Sequence, residues 1–168
     1  MSDDARAGLL AALDGLGDEQ VRTLAGWARM LHREPGARAG EGSVGPLGDA
    51  LGIEREDVSP GQARMRLTVN PMWANPNGIL HGGVVYTLID YSMGGAVQTS
   101  LPAGDFCASI NVAVSYLAPV RDGALVVDTE VVRQGRSIAF VESKVRDDAG
   151  RLIATASGTM FIFRAPPE

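Results

Sequence analysis

Residues 75–90 read NPNGILHGGVVYTLID, a turn-forming segment followed by two adjacent glycines and an apolar run that ends at a carboxylate. The Asn, Pro and Gly residues at the start are typical of a turn, and Gly82 and Gly83 lie where a helix would begin. From Gly82 to about Ser100, apolar or small residues occupy nearly every side of that helix. A helix that is apolar all round is buried, so the sequence predicts one long core helix.

Asp90 is the one charged residue in this predicted helix. An ionised carboxylate loses several kcal/mol on leaving water unless it is paired or hydrogen-bonded. Two interpretations follow: Asp90 is a cap or an ion-pair partner, or it takes part in chemistry. The start of the helix favours chemistry, because the Gly82 N–H lacks an intrahelical acceptor and suits the developing oxyanion of an acyl-transfer reaction.

Distance separates these two groups within one chain. Asp90 follows Gly82 by eight residues, which is about 12 Å along a helix at 1.5 Å per residue. One carbonyl group cannot contact both. A two-fold symmetric dimer resolves the problem, because Gly82 of one chain then faces Asp90 of the other.

Five segments outside this helix have strand character. They are rich in Val, Ile, Ala and Thr, and glycine-bearing turns separate most of them; they span residues 63–70, 109–117, 124–133, 137–146 and 152–163. Within the last segment we interpret Met160, Phe161 and Phe163 as core. The sequence therefore predicts an α+β architecture in which an antiparallel sheet wraps one long central helix.

The first 45 residues form a separate region. Residues 3–33 carry apolar positions at helical spacing interrupted by Gly15 and Gly17, which predicts two short helices. Residues 34–48 turn to Gly, Pro, Arg and Glu without periodicity, which is typical of a linker. We therefore divide the chain into an N-terminal helical extension with its linker, 1–45, and a folded domain, 46–168.

Composition and charge exclude several classes of function. The net charge is −5 and no basic run is present, so nucleic acid is not expected as a partner. The single cysteine, Cys107, excludes an intrachain disulfide and a cysteine-based metal site, and the two histidines suggest no metal centre. The acidic start does not resemble an export signal and no apolar window predicts a membrane span, so we expect a cytoplasmic protein.

An ordered set of residues carries a family resemblance. Asn75, Gly78, His81-Gly82-Gly83, Thr87 to Asp90 and Gly94-Gly95-Ala96, followed by strands, resemble the hotdog-fold acyl-CoA thioesterases, most closely the phenylacetyl-CoA thioesterase type. The resemblance spans roughly Pro46 to Phe163 and includes the segments SYLAPV and DDAGRLIATASGTMFIF. It implies hydrolysis of an acyl-CoA without a cofactor or metal, by a homodimer or a homotetramer built as a dimer of dimers.

The resemblance also implies roles for individual residues. Asp90 is the general base or the nucleophile, and the Gly82 N–H is the oxyanion donor. Asn75 orients the acid or the water, although Asn77 lies close enough to compete for that role. His81 holds the loop and polarises the thioester carbonyl, and Ser109 positions water. The substrate-binding residues implied are Gly83, Gly135, Arg136 and Ser137, with Arg136 near the CoA phosphates.

Simpler roles compete with these assignments. His81 can brace the turn through the backbone, Asn75 and Ser109 can satisfy local backbone groups, and Arg136 can be an ordinary turn arginine. A non-catalytic acyl-CoA-binding protein and an enoyl-thioester hydratase are the alternative functions on the same fold. The N-terminal extension departs from the minimal family pattern, and we expect it to cover the acyl tunnel or to add an oligomer contact.

Overall fold

Four helices and six strands follow one another along residues 2–31 and 44–165, the part of the chain that the computed structural model describes. The helices are α1 (Asp3–Leu13), α2 (Asp18–Leu31), α3 (Pro46–Leu51) and α4 (Gly82–Gln98). The strands are β1 (Ile53–Ser59), β2 (Gln62–Thr68), β3 (Phe106–Tyr116), β4 (Ala124–Gln134), β5 (Ile138–Asp147) and β6 (Leu152–Phe163). A 3₁₀ turn over Pro71–Trp73 lies in the connection from β2 to α4.

The six strands form one antiparallel sheet in the order β1-β2-β4-β5-β6-β3. Tight turns join β4 to β5 and β5 to β6, where glycine-bearing segments were predicted to separate strands. Strand β3 lies at one end of the sheet, and within the described ranges β6 is its only partner strand, so its second edge is open there. That open edge lies beside the helix that carries Asp90.

Helix α4 packs its apolar side against one face of the sheet. Its fully buried residues include Leu88, Ile89 and Met93, and they contact the inward side chains of β2, β4, β5 and β6. The approach is close at Gly95, where a Cβ atom would lie 2.8 Å from Met65 Cε. The predicted core helix and the α+β hotdog fold are confirmed.

A chain of buried hydroxyl groups fixes the rotation of α4 on the sheet. Ser92 Oγ donates to Thr129 Oγ1 at 2.7 Å, and Thr129 Oγ1 lies 2.7 Å from Ser143 Oγ. All three side chains are buried, so a rotation of the helix would break the hydrogen bond from Ser92 to Thr129 and leave a buried hydroxyl without that partner. Ser92 follows Asp90 by two residues, so this network also sets the direction in which Asp90 points.

Two elements of the structure differ from the prediction. Strand β1 was not predicted, because Ile53–Ser59 reads IEREDVS and all of its residues except Ile53 are exposed, so it lacks the apolar alternation of a half-buried strand. Residues 46–48 were assigned to the linker but belong to α3. Most of that linker, residues 34–43, lies outside the described residues.

The assignment of Phe161 and Phe163 to the core was also wrong. Met160 is buried as predicted, but Phe161 and Phe163 remain 38% and 39% exposed on the opposite face of the sheet. There Phe163 stacks on Phe106, with ring centroids 4.5 Å apart. Side chains alternate between the two faces of the sheet along β6. Phe161 and Phe163 lie one and three residues after Met160, so they point to the face opposite Met160.

Helix α2 contacts the segment that leads into α4. Trp27 of α2 stacks on Trp73 at 5.8 Å between ring centroids, and Asn70 Nδ2 donates to Thr23 Oγ1 at 3.1 Å. The division of the chain at residue 45 stays a prediction. Within the described ranges, every helix is too short or too polar to cross a membrane.

Candidate active site

The amino terminus of α4 is built by His81 and the two glycines after it. His81 has extended backbone angles and acts as the N-cap, and its Nδ1 accepts the Gly83 N–H at 3.0 Å. An Nδ1 atom that accepts a hydrogen bond leaves the ring proton of the neutral imidazole on Nε2. Among residues 2–31 and 44–165, the Gly82 N–H has no hydrogen-bond acceptor, so it is available to a ligand.

The loop before His81 is held by Asn75. Its Oδ1 accepts the backbone N–H of Asn77 at 2.9 Å and that of Ile79 at 3.2 Å. Gly78 occupies the left-handed region in this turn, with φ of 67°. The Asn75 carboxamide oxygen therefore shapes the loop, which is the simpler of the two roles considered for this residue.

Tyr116 at the end of β3 closes one side of the helix terminus. Its hydroxyl donates to the Gly82 carbonyl at 2.9 Å, and a Cβ atom on residue 82 would lie 3.3 Å from the tyrosine ring. Gly82, Tyr116 and Asn75 line a cavity of about 330 Å³. A group inside this cavity would therefore contact Gly82.

Asp90 lies in a second cavity, between α4 and the first half of β3. Ser109 Oγ donates to Asp90 Oδ1 at 2.5 Å, so the hydroxyl holds the carboxyl group in place. Asp90 is half-buried, and the cavity around the pair measures about 480 Å³. The pairing of Asp90 with Ser109 joins two of the residues that the sequence selected.

Cys107 is a neighbour of this pair. Its thiol points toward the Gly94 carbonyl at 3.7 Å and lines the same cavity. Burial, and then the nearby Asp90 carboxylate, raise the pKa of the Cys107 thiol above its ordinary value. The thiol therefore stays protonated at neutral pH and is a poor nucleophile.

The remaining site residues lie elsewhere. Gly135, Arg136 and Ser137 form the exposed turn between β4 and β5 and line neither cavity. This turn lies near the carboxyl end of α4, where Ser100 Oγ donates to Gln134 Oε1 at 2.6 Å. Within one chain, the predicted site residues therefore fall into three separate groups: Gly82 with Asn75 and His81, Asp90 with Ser109, and the exposed turn.

Sequence reasoning missed Tyr116 and Cys107. Tyr116 lies in the segment SYLAPV, but nothing in a strand-end tyrosine shows that its hydroxyl reaches a helix terminus. A single cysteine in a sequence bears only on disulfides and metal sites, and Cys107 satisfies neither. The alternation of β3 was the available signal, because Cys107 and Ser109 are two residues apart and share a face of the sheet.

Comparisons with known proteins place the chain in a family. Residues 77–154 match the family model described as the thioesterase superfamily. A Halobacterium salinarum protein named as a presumed esterase is 35% identical over 125 residues, which cover 68% of this chain and 82% of the relative. The 1,4-dihydroxy-2-naphthoyl-CoA hydrolase of Listeria monocytogenes is 25% identical over 116 residues, 69% of this chain and 94% of the relative.

A solved structure extends the likeness to three dimensions. It is a hypothetical thioesterase of Streptococcus pneumoniae with coenzyme A, which aligns with a TM-score of 0.63 and 26% identity over 68% of this chain and 88% of the other. Family match, sequence identity and fold agree, and together they show that the chain belongs to the thioesterase superfamily and is a thioester hydrolase.

Proposed function

We propose that this protein is an acyl-CoA thioesterase whose active site combines Gly82 of one subunit with Asp90 of the other. The observation that carries the proposal is the separation of two complementary groups along α4. The free Gly82 N–H lies in one cavity and the Asp90–Ser109 pair in another. Each cavity holds half of what thioester hydrolysis requires.

The open edge of β3 supports a dimer. Exposed apolar side chains along and just beyond this strand include Phe106, Ile110 and Leu117, and its outer edge has no partner strand among the described residues. An exposed apolar strand edge is a template for pairing with another chain. Two copies related by a two-fold axis would pair their β3 strands antiparallel and extend the sheet.

This pairing brings the two groups together. Tyr116 of β3 contacts Gly82, and Ser109 of the same strand contacts Asp90. Antiparallel pairing centred between these two positions, near Val112 and Ala113, sets Tyr116 of one subunit opposite Ser109 of its partner. Gly82 then approaches Asp90 of the other chain, and two equivalent sites form in each dimer.

The chemistry follows from what each group offers. The Gly82 N–H and the helix dipole stabilise the oxyanion as the thioester carbonyl becomes tetrahedral. If Asp90 is the general base, it takes a proton from the attacking water. The tetrahedral intermediate then expels CoA thiolate, which receives that proton. With Asp90 as nucleophile, a mixed anhydride forms, CoA leaves, and water hydrolyses the anhydride. Ser109 orients the carboxylate in either course.

Two relatives support coenzyme A as the leaving group. The pneumococcal structure contains coenzyme A, and the name of the Listeria relative specifies a CoA thioester. For this chain we assign the CoA portion to Gly83 and to the turn formed by Gly135, Arg136 and Ser137. The guanidinium of Arg136 is exposed there and presents the planar donor set that suits a phosphate.

The test is thiol release from a panel of aryl and aliphatic acyl-CoAs by wild type and by Asp90→Asn. The substitution keeps the shape and the acceptor for Ser109 but removes the charge, so we expect kcat to fall by about 100-fold or more. Asp122→Asn, in an exposed turn, serves as the matched control.

The mass of each variant in solution is measured to test whether the variant is still a dimer. If wild type binds CoA esters and releases no thiol from any of them, the chain is a binding protein and the proposal is wrong. If Asp90→Asn keeps full turnover, hydrolysis stands but Asp90 does not perform it.

A further inference from the structure

Gly94 lies one helical turn beyond Asp90 and lines the same cavity. Residues four apart on a helix share a face, so the side chain of residue 94 would point into the space beside the carboxylate. Among residues 2–31 and 44–165, no atom lies within 4 Å of a Cβ built on Gly94. The space next to Asp90 is therefore open because residue 94 has no side chain.

Packing does not require glycine at this position. At the adjacent Gly95 a Cβ atom would lie 2.8 Å from Met65 Cε, and at Gly158 it would lie 2.7 Å from Met93 Sδ, so both of those glycines permit close contact between helix and sheet. Gly94 has ordinary helical backbone angles, and in the described part of the chain nothing would contact its Cβ. A helix with an internal glycine is less stable than the same helix with alanine. At residue 94 close packing does not compensate for this loss of stability.

The walls of the cavity indicate what fills it. Met65 and Met160 are almost completely buried and line it together with Cys107, which presents a neutral thiol, while Arg55 and Gln98 supply polar parts of the wall. The cavity measures about 480 Å³, within the range of small-molecule sites. Flexible thioethers and a thiol suit an uncharged, apolar group, and thioethers make favourable contacts with aromatic rings.

The position of Gly94 on the helix indicates which part of the substrate would fill the cavity. A thioester carbonyl beside Asp90 would direct its acyl chain either back toward Gly82 or on toward Gly94. The turn from Asp90 to Gly94 covers about 6 Å of helix axis. We propose that Gly94 is the residue that sets acyl specificity, and that it admits apolar acyl groups as large as an aromatic ring. The proposal rests on the acyl-CoA thioesterase function proposed above.

The experiment compares wild type, Gly94→Ala and Gly94→Leu on acetyl-CoA, hexanoyl-CoA and benzoyl-CoA. We expect wild type to prefer the two larger substrates. Filling the space should lower the ratio of kcat/KM for benzoyl-CoA to that for acetyl-CoA, by about tenfold or more in Gly94→Leu and by less in Gly94→Ala. The thermal midpoint of Gly94→Ala should equal or exceed that of wild type, since alanine favours the helix.

Gly8→Ala is the matched control, because Gly8 also lies inside a helix, has no atom within 4 Å of the position that a Cβ would take, and is far from the cavity in the sequence. Its substrate ratio should equal that of wild type. Two results would overturn the role of Gly94 and leave the thioesterase function standing. One is a wild type that prefers acetyl-CoA, and the other is a substrate ratio in Gly94→Leu that is unchanged from wild type. A wild type that hydrolyses none of the three esters overturns both this role and the proposed function.

Discussion

At the scale of single residues, the site depends on how the first turn of α4 is held. The Gly82–Gly83 peptide accepts the Tyr116 hydroxyl at its carbonyl and donates to His81 Nδ1 at its N–H. Both polar groups of that peptide are thus used, while the preceding peptide presents the Gly82 N–H to the cavity. A donor fixed in this way stabilises an oxyanion without reorganising during the reaction.

Gly82→Pro tests that donor directly. Proline lacks the N–H, is favoured at the first position of a helix, and is compatible with the extended conformation of His81 before it. We expect thiol release to fall by about 100-fold or more, the usual effect of losing one oxyanion donor.

Gly82→Ala is the control for the added carbon, because it introduces the same contact with the Tyr116 ring and keeps the N–H. Its loss of kcat should be much the smaller of the two. Equal losses in the proline and alanine variants would show that steric contact with Tyr116, and not the N–H, governs turnover.

Single residues were predictable from the sequence to different extents. Asp90 stands out because a lone charge in an apolar helix is costly, and Gly82 because a helix must begin with unpaired N–H groups. The structure brings Ser109 to Asp90, but the sequence pointed to Ser109 only through family resemblance. Tyr116 gave no signal, because its contact joins positions 34 residues apart in the chain.

At the scale of elements, the loop between α4 and β3 is tied to the end of β6. The buried Asp105 carboxylate accepts the Arg164 guanidinium at 2.5 Å and the Ala165 N–H at 2.9 Å. The Ala165 backbone hydrogen bond and then the Arg164 side chain hold the pKa of Asp105 below its ordinary value. This clamp secures the start of β3, the strand that carries Cys107 and Ser109.

A lowered pKa makes the clamp dependent on pH. Its contribution to stability is complete above the ordinary aspartate pKa of about 3.9 and is lost as the pH falls through the lower value of the folded state. We therefore expect Asp105→Asn to reduce the thermal midpoint at pH 7, and the difference from wild type to shrink as the pH is lowered below about 4.

Thermal unfolding followed by circular dichroism at pH 7 and pH 3 measures this difference, with the exposed Asp122→Asn as the control. A deficit in Asp105→Asn that is the same size at both pH values would mean that the ionised carboxylate contributes nothing specific.

Elements with strong periodicity were predictable and those without it were not. Helix α4 and strands β2 to β6 follow from apolar runs and glycine-bearing turns, whereas the charged strand β1 exists because β2 offers it an edge. The exposed phenylalanines of β6 show the same limit. Apolar character marks Phe161 and Phe163 as core candidates, but the register of β6 against β3 and β5 places them on the face away from α4.

At the scale of the whole molecule, the two halves of the proposed site are complete only in a dimer. Helix geometry alone indicated this, since no folding of one chain shortens the distance along α4 between Gly82 and Asp90. The arrangement of the subunits could not be deduced from the sequence, because it depends on which strand ends the sheet. The structure places β1 and β3 at the two ends of the sheet, and of these β3 lines both cavities.

The most direct test is the activity of a mixed dimer of Asp90→Asn and Gly82→Pro chains, co-expressed with different tags and purified through both. Each variant alone is expected to be nearly inactive. The mixed dimer restores one intact site, from Gly82 of the first chain and Asp90 of the second, so thiol release should return to about half of wild type per dimer. A mixed dimer as inactive as its parents, at the same mass, would contradict a site shared between subunits.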